Sequence, residues 1–163
     1  MENKPEKISE VIDNLRRVFQ AITDFSRNAE KTTGLTGPQL WAVKLLANNA
    51  PLRLSDLARQ MYLSPATVVG IIDRLEAKGL VTRTRSREDR RAVDLELSGE
   101  GKELVAQAPE VAQLVLLKGL EALSDEEFSS VAEGMELVVR ILGAENLTPQ
   151  PLHSAEESRA HIN

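Results

Sequence analysis

The chain has 163 residues, the length of one domain that can bury a substantial core. Hydrophobic residues make up 42% of it and charged residues 28%, which is typical of globular proteins that fold in water, and the formal net charge is −5. The absence of cysteine excludes disulfides, thiolate metal sites and thiol redox switches. No apolar run approaches the roughly 18 residues of a membrane span, and the first residues lack the apolar region of a secretory signal. We therefore expect a cytoplasmic, largely helical, single-domain protein without a membrane partner.

The first two predicted elements are helices. Apolar residues recur at steps of three and four over residues 8–29, which predicts a long amphipathic helix that ends at the break "KTTGLTG". Thr36 with Gln39 three residues later predicts a capping box for the second helix. Pro38 suits the first turn of that helix, and Pro51 ends it.

Two shorter helices follow, joined by a tight turn. "SDLARQM" is predicted to be helical with Ser55 as its N-cap, and "YL" forms the turn. Ser64 then caps the helix "PATVVGIIDRLEAK", with Pro65 at its first position and Gly79 beyond its end. Two helices joined by so short a turn predict a helix-turn-helix.

The second helix of this turn has two contrasting faces. Steps of 100° place its apolar residues on one side, which we expect to be buried: Val68, Ile71, Ile72 and Leu75. The opposite side carries small, polar or charged residues: Ala66, Thr67, Gly70, Asp73, Arg74 and Ala77. Such a face fits a DNA major groove roughly 12 Å wide, and the helix N-terminus at Ser64 offers free N–H groups to a phosphate. An ordinary surface helix would show the same pattern, so the helix alone does not decide the function.

A β-hairpin is predicted directly after this helix. "LVTRTRS" and "AVDLEL" flank a tip at residues 87–91, and Val93, Leu95 and Leu97 alternate with acidic residues, as in a strand with one buried face.

Arginine is concentrated in the hairpin. Residues 82–91 contain five arginines and two acidic residues. Residues 53–91 carry nine basic and five acidic residues, a net charge of +4 that leaves −9 on the rest of the chain. Because arginine suits the strongly negative minor groove, the hairpin is interpreted as a DNA-binding wing. The alternative is an exposed hairpin kept soluble by its charge.

Two helices and a polar tail complete the chain. Ser98 is predicted to cap a helix over residues 98–121, and Ser124 with Glu127 forms a second capping box for a helix that ends at Gly143. The predicted fold class is mainly α with a small β-hairpin wing. Residues 1–35 and 98–144 would form a helical dimerisation region, residues 36–97 a winged helix-turn-helix DNA-binding lobe, and residues 145–163 a polar C-terminal tail.

Two stretches give the chain a family resemblance. "LTGPQLWAVKLL" and "LSDLARQMYLSPATVVGIIDRLEAKGLVTRTRSREDRRAVDLELSGEGKEL" closely resemble the MarR (multiple-antibiotic-resistance regulator) family, and the resemblance extends over about residues 8–143. Its most specific parts are "DRLEAKGLV", the Asp-x-Arg of the wing at Asp89 and Arg91, and "LSGEG".

The resemblance implies a winged-helix homodimer that binds double-stranded DNA at pseudo-palindromic operators and usually represses neighbouring genes. In such proteins the terminal helices form the dimer interface, and a small effector often binds between them and the DNA-binding lobe. The resemblance makes Arg91 the minor-groove arginine, gives Asp89 the role of shaping the wing, and pairs Asp73 with a wing arginine. The residues expected to contact DNA are Ser64, Ala66, Thr67, Gly70, Asp73 and Arg74 on the helix and Arg87, Asp89, Arg90 and Arg91 on the wing.

Other functions find less support in the sequence. A branch of the family senses oxidants through cysteine, which this chain lacks, so we expect an effector that is small, largely apolar or anionic, and free of redox chemistry. Two isolated histidines, His153 and His161, do not predict a metal site. We expect no cofactor and no catalytic residues. One alternative is a winged-helix module for protein–protein assembly. The other is a small helical enzyme, for which the sequence offers no candidate pair of nucleophile and base.

Overall fold

A computed structural model describes residues 3–152, which form seven helices and three short strands. The N-terminal helices and strand are α1 (Lys4–Thr33), α2 (Gly37–Asn49), β1 (Leu52–Arg53) and α3 (Leu54–Gln60). The middle of the chain holds α4 (Pro65–Ala77), β2 (Val81–Arg85) and β3 (Val93–Leu97), and the C-terminal helices are α5 (Gly99–Ala106), α6 (Ala112–Glu121) and α7 (Asp125–Ile141). The predicted fold class, mainly helical with a small β wing, is confirmed.

Most helix ends lie where local chemistry predicted them. Thr36 and Ser124 each form a complete capping box, and the hydroxyls of Ser64 and Ser98 accept backbone N–H groups at the starts of α4 and α5. Gly79 has a positive φ of 75°, a conformation that a residue with a Cβ rarely adopts.

Two helix predictions were wrong. Ser55 is not an N-cap: α3 begins at Leu54, and Arg53 occupies the cap position without a side-chain cap bond because strand β1 leads directly into the helix. The single helix predicted over residues 98–121 is divided into α5 and α6. Pro109 lies in the break, where it lacks an N–H to donate and disfavours a helical conformation of the residue before it.

The three strands form one antiparallel sheet in the order β1, β3, β2. The sequence did not predict β1, whose two residues pair with β3 at Leu52 to Leu95 and Arg53 to Asp94. On β3, Leu95 and Leu97 are buried as expected, but Val93 is 45% exposed. Val93 pairs with Arg85 at the far end of the hairpin, which extends beyond the packed lobe.

The core lies between α2, α3, α4 and the sheet. Its largest fully buried side chains include Leu40, Leu46, Leu57, Ile72, Leu75 and Leu95. Gly101 lets α5 approach this lobe closely, because a Cβ at that position would collide with the backbone carbonyl of Leu80. The core thereby fixes α4 and the hairpin on one rigid support.

The first and last long helices each keep an exposed apolar face. These side chains are Ile8, Val11, Ile12, Leu15, Val18 and Phe19 on α1, and Phe128, Val131, Met135, Leu137 and Ile141 on α7. So large an apolar surface is unusual on a monomer and marks an interaction site. Within residues 3–152, no helix combines the length and apolar character that crossing a membrane requires.

Candidate nucleic-acid interface

Helix α4 has the two faces that its sequence predicted. Its four predicted core residues are all buried: Val68, Ile71, Ile72 and Leu75. On the opposite face Ala66, Asp73 and Arg74 are exposed, while Thr67 and Gly70 are half-buried. The small residues leave a low surface from which a longer side chain can project.

The N-terminus of α4 is organised by two hydroxyl groups. Ser64 Oγ accepts a hydrogen bond from the Thr67 N–H at 3.3 Å, and the two hydroxyl oxygens lie 2.9 Å apart. The hydroxyl of Thr67 therefore already has a partner within the protein. To contact a base, Thr67 must offer its methyl group or share this hydroxyl.

The hairpin follows α4 and contacts it through strand β2. Strand β2 pairs with β3 from Val81 with Leu97 to Arg85 with Val93, and residues 86–92 form the loop. Within the loop the Arg91 N–H donates to Asp89 Oδ1 at 3.0 Å, and the Ala92 N–H donates to the Asp89 carbonyl at 2.9 Å. Asp89 thus organises the turn that carries Arg91, an arrangement that agrees with its expected role in shaping the wing.

Ser86 is a structural residue of the wing that sequence reasoning did not identify. It is 6% exposed, and its Oγ accepts hydrogen bonds from the N–H groups of Glu88 at 3.3 Å and Asp89 at 3.4 Å. A serine placed two and three residues before unpaired N–H groups is a recognisable turn signal. In the sequence, the arginines around Ser86 conceal this signal.

An ion-pair network ties the wing to α4. Arg83 donates to Asp73 Oδ1 at 2.5 Å and to Glu76 Oε1 at 3.1 Å. The hydrogen bond to Asp73 raises the pKa of Arg83 above its ordinary value, although partial burial opposes the rise. The expected pairing of Asp73 with a wing arginine is confirmed, and its partner lies on strand β2 rather than at the tip.

The remaining arginines of this surface are free to contact a ligand. Within residues 3–152, Arg74, Arg85, Arg87, Arg90 and Arg91 are exposed and their side chains make no hydrogen bond or ion pair. These five unpaired guanidinium groups concentrate positive charge on α4 and the wing. Arg85, which was not among the expected contacts, belongs to this set.

No other chemistry is apparent at this surface. The part of the chain that the structure describes contains no group of three or more His, Cys, Asp or Glu residues placed to bind a metal ion. His153 and His161 lie outside the described residues.

Comparison with known proteins places the lobe in a family. A family model described as the MarR family matches residues 35–93. The uncharacterized HTH-type transcriptional regulator YfiV of Bacillus subtilis is 39% identical over 105 residues, which cover 64% of this chain and 66% of the relative. The organic hydroperoxide resistance transcriptional regulator of Bacillus subtilis is 30% identical over 112 residues, which cover 69% of this chain and 75% of the relative. Among solved structures, a MepR-like protein complexed with pseudoligands is 28% identical, with a TM-score of 0.54 over 87% of this chain and 97% of that one.

Proposed function

Because this chain belongs to the MarR family and is a DNA-binding transcriptional regulator, we propose that it represses its target genes as a homodimer whose two winged lobes bind one operator. In each lobe, helix α4 reads the major groove and the wing enters the adjacent minor groove. Binding of chromosomal DNA would place the protein in the cytoplasm, and its role would be regulatory rather than catalytic.

The observation that supports this assignment most strongly is the set of unpaired arginines beside an exposed helix face. Arg87, Arg90 and Arg91 lie at the wing tip, and Arg74 lies on the outer face of α4. An acidic protein that gathers free arginines in one place is suited to a polyanion, since each phosphate contact releases counterions from the duplex.

The positions of α4 and the wing support simultaneous binding to two grooves. Arg83 holds β2 against Asp73 and Glu76 of α4, so the wing keeps a fixed distance from the helix. A rigid pair of elements loses little conformational freedom on binding, which favours affinity. We propose Ser64, Ala66, Thr67, Gly70 and Arg74 as the helix contacts, and we propose that Asp73 contributes by holding Arg83.

The exposed apolar faces of α1 and α7 support the homodimer. Phe19 is 65% exposed and Ile141 is 81% exposed, although both lie on the apolar stripe of their helix. A second copy of the chain would cover these faces and would place two lobes about a two-fold axis.

We also propose that a small molecule relieves repression. The chain has no cysteine for oxidant sensing. A ligand would therefore act by favouring one spacing of the two lobes over another.

The direct test is binding to two duplexes, one from the DNA upstream of the protein's own gene and one of random sequence, over a range of salt concentrations. We expect tight binding to the upstream duplex that weakens steeply with salt. Thr67→Ala and Arg74→Ala should weaken binding to the upstream duplex more than to the random one, whereas equal losses would show that α4 does not read bases. A protein that binds neither duplex at low salt would favour the protein–protein module instead.

A further inference from the structure

After helix α7 the chain turns back toward the DNA-binding lobe. Gly143, with a positive φ of 64°, follows the helix, and the Ala144 N–H donates to the Val139 carbonyl at 3.0 Å. The Leu147 N–H then donates to the Ala144 carbonyl at 3.1 Å, which forms a second turn. Beyond these turns, residues 149–152 lie against α2 and α6, and we call them the C-terminal strap.

The strap is held at a junction of two helices. Its Leu152 carbonyl accepts a hydrogen bond from Gln113 Nε2 of α6 at 2.5 Å, and Gln113 is only 7% exposed. The same carbonyl oxygen lies at the start of α2, 3.7 Å from the position that a Cβ at Gly37 would occupy. The strap therefore contacts α2 of the DNA-binding lobe and α6 of the proposed dimerisation region at once.

Two features of the strap favour its docked state. A buried amide N–H without an acceptor is unfavourable, and within the described residues the Leu152 carbonyl is the acceptor for the Gln113 side chain. Pro149 and Pro151 fix the backbone φ angle at their positions, so the undocked strap has less conformational freedom to lose. Both features stabilise the strap on the surface of α2 and α6.

The strap also forms one side of an apolar cavity. The cavity has a volume of about 540 Å³ and is bordered by Trp41, Met61 and Phe128 as well as by residues 149–152. Trp41 is 6% exposed, and it lies on α2, as does Gly37. The exposure of Trp41 therefore depends on whether the strap is docked.

We propose that residues 149–152 fasten the DNA-binding lobe to α6, and that the docked strap raises the affinity for an operator with two half-sites. The inference rests on the proposed homodimer. In that dimer α6 belongs to the dimerisation region, and α2 moves with the lobe. A strap across the two helices limits the movement of each lobe, so less freedom is lost when both lobes bind one operator.

Quenching of Trp41 fluorescence by acrylamide tests whether the strap is docked in solution, since Trp41 is the chain's one tryptophan. A chain that ends after Thr148 lacks the strap. A chain that ends after Ser154 keeps it, with the Leu152 carbonyl still in a peptide bond. Acrylamide should quench the first chain more efficiently than the second, which should match the wild-type protein. Melting shows that both chains are folded, and equal quenching of the two folded chains would overturn the proposal.

Operator binding tests what the docked strap does. Leu152→Asp keeps the carbonyl and places a carboxylate against the apolar cavity, and Gln113→Leu removes the donor and keeps a side chain of similar size. Each should weaken binding to an operator with two half-sites by about three- to tenfold, because each lobe gains freedom that binding must remove. Binding to a duplex with one half-site should stay unchanged, since the contacts of α4 and the wing are intact.

Thr148→Asp is the matched control for Leu152→Asp. It adds the same charge to an exposed residue outside the cavity, so it should bind both duplexes like the wild-type protein. Melting of each variant shows that it is folded.

The duplex with one half-site separates positioning of the lobes from damage to a lobe. Parallel losses on both duplexes in folded Leu152→Asp and Gln113→Leu would overturn the proposal, as would operator binding equal to or tighter than that of the wild-type protein. The second result would leave the proposed function intact. A wild-type protein that binds neither duplex would contradict the proposed function, and the quenching experiment would still test docking of the strap.

Discussion

Arginine side chains on the winged lobe differ in what surrounds them, and their substitutions should differ accordingly. Arg83 has two carboxylate partners, whereas Arg91 has none within the described residues and lies at the tip beside Asp89. The first is suited to holding the lobe together, and the second is suited to contact DNA.

Arg91→Ala should weaken operator binding by about 1–3 kcal/mol, because it removes the arginine expected in the minor groove. Thermal stability should change little, since an exposed loop residue buries little surface. The measurement is binding to operator and random duplexes across salt, with melting in parallel. A variant that binds operator as tightly as the wild type would remove Arg91 from the interface, and one that unfolds would make it structural.

Arg87 and Arg90 are the matched controls for this variant. We expect both to contact phosphates, so replacing either by alanine should weaken all sequences alike and reduce the salt slope by about one unit. Asp89→Ala should imitate a milder Arg91→Ala, because it removes the hydrogen bond that organises the turn and leaves the arginine in place.

Arg83→Ala should reduce operator affinity although Arg83 is not expected to touch DNA. Without Arg83 the wing is no longer held to Asp73 and Glu76. DNA binding must then also order the wing, and the entropy lost in doing so weakens the affinity. Because these groups are partly exposed, the loss of folding stability should stay below about 1 kcal/mol. Asp73→Asn is the companion variant, and Arg83→Lys should restore part of the affinity. If Arg83→Ala binds normally, the ion pairs do not position the wing.

Among the helices and strands, features set by neighbouring residues could be predicted from the sequence, and features set by pairing between distant residues could not. The capping boxes at Thr36 and Ser124 were predictable because all their partners lie within three residues. Strand β1 was not predicted, because two residues carry no periodicity and exist as a strand only by pairing with β3. The break at Pro109 carried a local signal that the apolar pattern of residues 98–121 concealed.

The candidate site could be predicted from the sequence to the same extent. The outer face of α4 and the arginines of the hairpin follow from helical and strand periodicity. The pairing of Arg83 with Glu76 depends on the angle between the wing and the helix, which only the packed core determines. The role of Ser86 is local to the loop, and the sequence carries its turn signal among the arginines. The apolar cavity bordered by Trp41, Met61 and Phe128 was not predictable, since in the sequence these residues look like any other apolar residues of the core.

Glu127 accepts hydrogen bonds at the N-terminus of α7. Hydrogen bonds from the Ser124 backbone N–H and then from its hydroxyl lower the pKa of Glu127 below its ordinary value of 4.5. A carboxyl group with a lowered pKa in the folded protein stabilises it above the unfolded pKa, and this stabilisation disappears as the pH falls through the folded pKa.

Glu127→Gln keeps an acceptor at the cap and does not titrate. The wild-type protein should melt slightly higher than this variant at pH 7, and the difference should shrink as the pH falls below about 4.5. The measurement is thermal melting of both proteins over a pH series. A difference independent of pH would show that the ionised cap does not contribute.

At the scale of the whole molecule, the exposed stripes of α1 and α7 require a partner surface. Deleting residues 1–25 should leave a chain that aggregates or stays unfolded. The deletion removes the exposed apolar residues of α1, so the apolar face of α7 loses the partner surface proposed to cover it. A folded, DNA-binding monomer from this deletion would contradict the homodimer.

Point variants give a milder form of the same test. Phe19→Glu and Ile141→Glu should each shift the full-length protein from dimer to monomer in sedimentation, because a buried carboxylate without a partner disfavours the interface. Val93→Glu makes the same kind of change on an exposed apolar residue of the wing and should leave the dimer intact.

A footprint on the DNA upstream of the gene tests operator binding by the homodimer, since it depends on the recognition elements and on two-fold symmetry together. We predict two protected half-sites about 10 bp apart, centre to centre, related by a pseudo-two-fold axis. Minor-groove protection should flank each half-site where the wings lie, and Arg91→Ala should remove it while leaving the major-groove protection by α4. A single asymmetric half-site, or no protection at low salt, would contradict binding of one operator by a two-fold homodimer.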